Sequence, residues 1–160
     1  MTGVFSWMPR VANDVGNDRL HPFVLNGCIG GLDLRQLFRY AWTSPNTMIG
    51  IIVGWLLSGR FEVVDGVIEI ESERIAWMLK RMWVPASAMT LGHVVLGQDR
   101  RSLYRTRRHE RVHVRQYERW GILFLPAYGL CSLVLFTAGR DGYRENPFEV
   151  EAYAVDELVD

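Results

Sequence analysis

Residues 99–120, DRRSLYRTRRHERVHVRQYERW, are the stretch on which the reading of this chain turns. Asp99 stands where a helix N-cap belongs, and the run to Trp120 contains neither Gly nor Pro, so the spacing predicts one long helix. Within it His109-Glu110-Arg111-Val112-His113 is an H-E-x-x-H pattern. Four residues advance a helix by slightly more than one turn, so both imidazoles leave the same face and can share one ion. Two imidazole nitrogens supply part of a catalytic Zn²⁺ shell that keeps a position for water, and Glu110 is the candidate general base for that water. Zinc is therefore the expected cofactor.

Upstream, Met89–Leu96 (MTLGHVVL) predicts a strand bounded by Gly97. Glu73–Trp83 carries Ile75, Met78, Leu79 and Met82 at helical spacing and predicts a short amphipathic helix stopped by Pro85. Asp65-Gly66, between Phe61–Val64 and Val67–Ile70, predicts a two-residue hairpin turn. Downstream, Asn146-Pro147-Phe148-Glu149 opens a last helix, with Asn as cap, Pro at the first helical position and Glu in the capping-box position.

Two stretches of 19 residues, 41–59 and 120–138, carry no charge and are flanked by Arg39 and Arg60 and by Arg119 and Arg140. As helices each would measure about 28 Å, close to bilayer hydrocarbon thickness. The first is interrupted by Thr43-Ser44-Pro45-Asn46-Thr47 and reads equally as a core helix; the second contains Pro126 and Gly129, which can turn it. The 160 residues balance 18 basic against 18 acidic groups, which argues for a single domain over 1–160 and against a molecule built as a nucleic-acid binder. Disorder is excluded by 49% hydrophobic content. Cys28 and Cys131 are too few and too far apart for a disulfide framework, and Met1–Asp14 lacks the apolar run of a cleavable secretory signal.

The order of these features over residues 88–156 resembles gluzincin-type zinc metallopeptidases, compact bacterial and membrane-bound forms with an E-x-x-A motif among them. The resemblance rests on His109-Glu110-x-x-His113, the β-like segment before it, and Glu149-Val150-Glu151-Ala152 after it. It implies Glu149 as third zinc ligand, with Glu151 as runner-up, Glu110 as the group that activates water, and a strand edge that receives an extended peptide, here near Gly92–Leu96. Tyr153 stands where some members place an Asp that supports a zinc-binding His.

Each residue also has a plainer role. Glu149 serves equally as a capping carboxylate, His93 as a half-buried hydrogen-bonded side chain, and His21 and Cys131 as structural groups. Tyr104, Tyr117 and Tyr153 are oxyanion candidates that read as core aromatics. The long helix holds eight Arg against two Glu, a net +6 over residues 100–119; Arg108, Arg111, Arg115 and Arg119 form a stripe suited either to the acidic tail or to anionic lipid headgroups. If 120–138 crossed a bilayer once, His113 and Glu149 would lie on opposite sides and could not share an ion. Either the chain reverses at about Gly121 to Gly129, where Pro126 and Gly129 can turn it, or Glu149 is not the ligand.

The expectation is an α+β fold: a minimal zincin-like domain, mostly helical, with a small antiparallel sheet of a hairpin plus an edge strand, and a metal-binding helix followed by a returning apolar helix. The expected function is a zinc-dependent metallopeptidase-like hydrolase acting on a peptide or protein. Membrane lipid is a second candidate contact, and nucleic acid is not expected. The protein would be membrane-associated, its site facing the cytoplasm, with a soluble cytoplasmic protein as the alternative. The competing functional class is a non-catalytic membrane-associated protein with a structural or fortuitous metal site.

Overall fold

Asp65 and Gly66 both take positive φ, 48° and 78°, and join β1 (Arg60–Val64) to β2 (Val67–Glu71) in the tight hairpin that dipeptide favours. A computed structural model describes residues 34–156; His21, Cys28 and the Met1–Asp14 segment lie outside the described residues. The fold is α+β, with helices around a four-stranded sheet of order β1-β2-β4-β3.

The sheet is mixed, which corrects the expected antiparallel one. MTLGHVVL is not one strand: β3 (Ala88–Leu91) and β4 (Val94–Gly97) are separate and antiparallel, and β4 also pairs in parallel with β2, Ile68 opposite Val94. Gly92 breaks the run. Its φ is +64°, and a Cβ there would lie 2.3 Å from the Thr47 hydroxyl, so only glycine fits the turn. The central place of β4 follows, and the sheet edge nearest the site is β3 instead of Gly92–Leu96.

Alternate residues pack the two sheet faces. Ile70, Leu91, Val94 and Leu96 join Ile75 and Leu79 of α2 (Glu73–Lys80), with Ile51, Val53 and Leu57 packed against them. Val67, Ala88 and Val95 meet Leu103 and Val114 of α3 (Arg100–Trp120) on the other face. Helix α2 starts at its Ser72 cap, whose hydroxyl accepts from the Ile75 amide, and ends three residues earlier than expected, at Lys80.

Helix α1 (Leu34–Leu56) runs through Pro45. Proline cannot donate to the carbonyl of Ala41, but the Ser44 hydroxyl does so at 2.8 Å, so the polar run that seemed to interrupt the helix repairs it. The Asn46 amide donates to the Gly121 carbonyl at 3.1 Å, tying α1 to the end of α3.

That end is where the chain reverses. Gly121 (φ +54°) caps α3, and a Cβ on it would stand 2.1 Å from Trp42 Nε1. A short 3₁₀ turn, Gly121–Leu123, leads to α4 (Phe124–Thr137). Eleven residues of straight helix would separate His113 from Phe124 by about 16 Å; their rings are 6.3 Å apart, so α4 folds back on α3. Pro126 and Gly129 do not make this turn: both lie inside α4, where Pro126 occupies the first turn and gives up no helical hydrogen bond. By length and composition the helical run Arg100–Thr137 contains one window apolar enough to cross a membrane, 22% of it buried. Helix α5 (Pro147–Asp156) then packs along α3.

Candidate metal centre

Asp99 caps α3 as its sequence suggests, accepting from the Ser102 amide at 2.6 Å, and this sets which face the histidines present. His109 and His113 converge on the side covered by α5, each about 8% exposed. Helix α5 is aimed by Asn146: its carbonyl oxygen accepts from the Phe148 amide, while its amide donates to Tyr128 O and Ser132 Oγ on α4 at 3.1 and 2.8 Å. This clamp delivers Glu149 to the histidines. The reach back to the Asn146 amide expected of a capping carboxylate is not made, since that amide donates to Tyr143 O.

The three side chains form a tight triangle. His109 Nε2 and His113 Nε2 are 3.2 Å apart, Glu149 Oε2 is 3.3 Å from His109 Nε2, and Glu149 Oε1 is 3.5 Å from His113 Nε2. Tetrahedral ligands at zinc bond lengths of about 2.0–2.2 Å stand about 3.3–3.6 Å from one another, so the triangle has the edge a zinc shell needs. Among the described residues, His109, His113 and Glu149 are the group that could hold a metal ion.

The surrounding hydrogen bonds supply the proton inventory. Gln116 turns its amide NH₂ toward two acceptors, Phe148 O at 3.0 Å and Glu151 Oε2 at 2.7 Å, so its Oε1 faces His113 Nδ1 at 2.9 Å. That nitrogen must carry the proton, which leaves a lone pair on Nε2 in the neutral ring. His109 Nδ1 likewise donates to Asp156 Oδ2 at 3.3 Å, with the Tyr153 ring set edge-on against the imidazole. Both Nε2 lone pairs thus face the Glu149 carboxylate, whose Oε2 is buried without a hydrogen bond. A cation satisfies all of these donors at once.

Burial pushes the Glu149 carboxyl up, but the His109 and His113 rings outweigh it and hold it at about 2. Burial likewise opposes the His113 cation, and Glu149 and Glu110 overcome it and raise that ring above its ordinary value. Glu110 behaves oppositely: complete burial lifts it above the ordinary glutamate value despite the neighbouring His113, while Thr90 Oγ1 on β3 donates to its Oε2 at 2.6 Å.

Glu110, His109, His113 and Glu149 line a cleft of about 840 Å³ together with Thr90, Tyr117, Tyr128 and apolar side chains. Glu151 is turned away to Gln116. Residues two apart on a helix point about 200° from one another, so Glu151 does not share the triangle. The other sequence candidates have plain roles. His93 bonds Thr43 Oγ1 at 3.0 Å and Glu118 Oε1 at 3.1 Å, joining α1 to α3; Tyr104 is exposed beside Arg107; Cys131 is a buried thiol. Tyr117 is fully buried, its hydroxyl without a partner. The Arg stripe divides: Arg111 bonds Val64 O and pairs with Asp65, docking the hairpin, while Arg108 and Arg119 remain exposed.

Two residues at the site escaped the sequence reading. Tyr128 donates to Glu149 Oε1 at 2.8 Å, and Asp156 provides the carboxylate that Tyr153 cannot, one helical turn further on. Spacing along α5 could have found Asp156, seven residues after Glu149 and on the same face; nothing local marks Tyr128. No protein-family model matches the chain, and no curated protein or solved structure is similar to it.

Proposed function

We propose that this protein is a zinc-dependent, metallopeptidase-like hydrolase acting on a peptide or protein. The observation that carries the reading is the triangle of two imidazoles and one carboxylate at zinc-shell spacing, open to a cleft that also holds Glu110. A bound Zn²⁺ would supply Lewis acidity toward a carbonyl oxygen and toward water. His109, His113 and Glu149 would hold it, with Gln116 and Asp156 fixing the imidazole tautomers.

Glu110 takes the proton from the attacking water and returns it to the leaving amine. Its raised pKa suits that shuttle, because a carboxyl that binds protons more readily is a better base once ionised. Thr90 fixes one carboxylate oxygen. Its strand is the sheet edge on the cleft, and since Met89 and Leu91 pair with β4, the backbone groups of Ala88 and Thr90 face outward to align an extended chain beside Glu110. The resemblance to gluzincins accords with this arrangement, and the membrane-associated localisation belongs to the same proposal through the exposed apolar residues of α4.

The test is zinc stoichiometry of the purified protein, parent and His113→Ala, together with cleavage of a fluorogenic peptide library by the parent and Glu110→Gln. One zinc per chain, lost in His113→Ala, with cleavage abolished by Glu110→Gln is the expected result. Equal zinc in both proteins refutes the centre; cleavage unaffected by Glu110→Gln refutes the mechanism. A fourth protein ligand closing the shell would favour the non-catalytic reading.

A further inference from the structure

We propose that the cleft takes an apolar polypeptide segment drawn from a lipid bilayer, both of its lips being seated in the membrane surface; this substrate class rests on the hydrolase reading above. Helix α4 has no polar face: residues 124–137 include no charge, and only the stripe Phe124, Cys131 and Leu135 is buried. Its other sides present Leu125, Leu130, Leu133, Val134 and Phe136, between 41% and 68% exposed. A helix apolar all round belongs in a large core or in lipid, and no described element covers this one.

The geometry excludes a crossing. Fourteen residues span about 21 Å against about 30 Å of hydrocarbon, and the helix is tied to one side of the molecule along its first nine residues, Phe124 to Tyr117 and both Tyr128 and Ser132 to Asn146. The helix therefore lies along a membrane surface, held there by its apolar side chains, since Arg140 at its end is already paired with Glu145. The opposite lip of the same cleft is Met82-Trp83-Val84, between α2 and β3, with Trp83 96% exposed. Tryptophan concentrates at the lipid–water boundary, so Trp83 seats this lip in the same membrane surface that α4 enters, and the cleft mouth opens onto lipid.

This placement selects the substrate. An unwound segment in lipid has backbone groups that no water can satisfy, and the outer edge of β3, which no described strand pairs, offers them partners. Its side chains then meet Met82, Val84, Leu133 and Phe136; an acidic segment would have to bury charge against them.

Bimane labels at Leu133→Cys and Trp83→Cys, in a Cys28→Ser/Cys131→Ala background, test the immersion in vesicles of phosphatidylcholine and phosphatidylglycerol with brominated acyl chains. A label at Val63→Cys, on the exposed side of β1, is the control. Bromolipid should quench both lip labels at least twofold while iodide does not, and the Val63→Cys label should show the reverse. Lip labels that respond to iodide as the control does, or protein that fails to float with the vesicles, overturn the inference. With cobalt loaded into the vesicle-bound protein, a trileucine hydroxamate should perturb the visible spectrum at least tenfold more tightly than a Glu-Leu-Glu hydroxamate. Equal affinity overturns the substrate class. Absent cobalt uptake with intact lipid quenching would instead locate the failure in the hydrolase reading and remove the substrate with it.

Discussion

The two side chains behind the histidines differ in a way that ranks their effects on metal affinity. Gln116 is 1% exposed, holds His113 Nδ1 at 2.9 Å and is itself fixed by Phe148 O and Glu151. The Asp156 side chain is 42% exposed and reaches His109 Nδ1 at 3.3 Å. Removing such partners costs about 10–100-fold in metal affinity, or about 1.4–2.7 kcal/mol. Gln116→Ala belongs at the upper end, because the ring loses its acceptor on the buried side away from the cleft; Asp156→Ala belongs at the lower end, because water can replace a half-exposed carboxylate. The assay is competition for zinc against a chromophoric chelator at neutral pH, with thermal unfolding of each variant recorded to separate affinity from folding. Gln116→Glu keeps an acceptor for the His113 N–H but sets its other oxygen against Phe148 O and Glu151, so it should recover only part of the loss. A reversed ranking would refute the tautomer argument on which the centre rests.

Glu149→Ala should weaken zinc binding at least a hundredfold while Glu151→Ala changes it less than tenfold, by the same competition assay; the opposite order would place the third ligand two residues later. In the metal-free protein Glu110→Gln should unfold at higher temperature than the parent at pH 7. Burial raises the Glu110 carboxyl above 4.5, so ionisation destabilises the fold as pH rises through that value, and the advantage of the variant should shrink toward pH 4. Gly121→Ala should cost at least about 2 kcal/mol in chemical denaturation, since φ +54° alone strains an L-residue by about 1–2 kcal/mol and the new Cβ meets the Trp42 ring.

Local chemistry carried much of this molecule into its sequence. The Asp65-Gly66 turn, the Asp99 and Asn146 caps and the H-E-x-x-H spacing each depend on neighbours within a few residues, and each is where the residues put it. The single strand over Met89–Leu96 misled because alternation continues through Gly92-His93, and what breaks it there is contact with Thr47 on a distant helix. Parallel pairing of β2 with β4 leaves no local mark either, since it depends on how α2 returns the chain. At the site, Glu149 followed from a motif, whereas Tyr128 is a neighbour only because α4 folds back at Gly121.

The three donors also close a circuit in the chain. His113 and Glu149 are separated by α4 and the loop after it, so an ion held between them ties off a loop of about 36 residues. Treated as a cross-link, that closure removes about 4 kcal/mol of chain entropy from the unfolded state. The segment so fastened is the one with the weakest water-side justification, a helix whose outward side chains, Thr137 apart, are apolar. Metal loading would then add to the holds this helix already has, the Asn146 clamp and the packing of Phe124 and Tyr128 on Phe148, and would fasten it more firmly to the finished sheet.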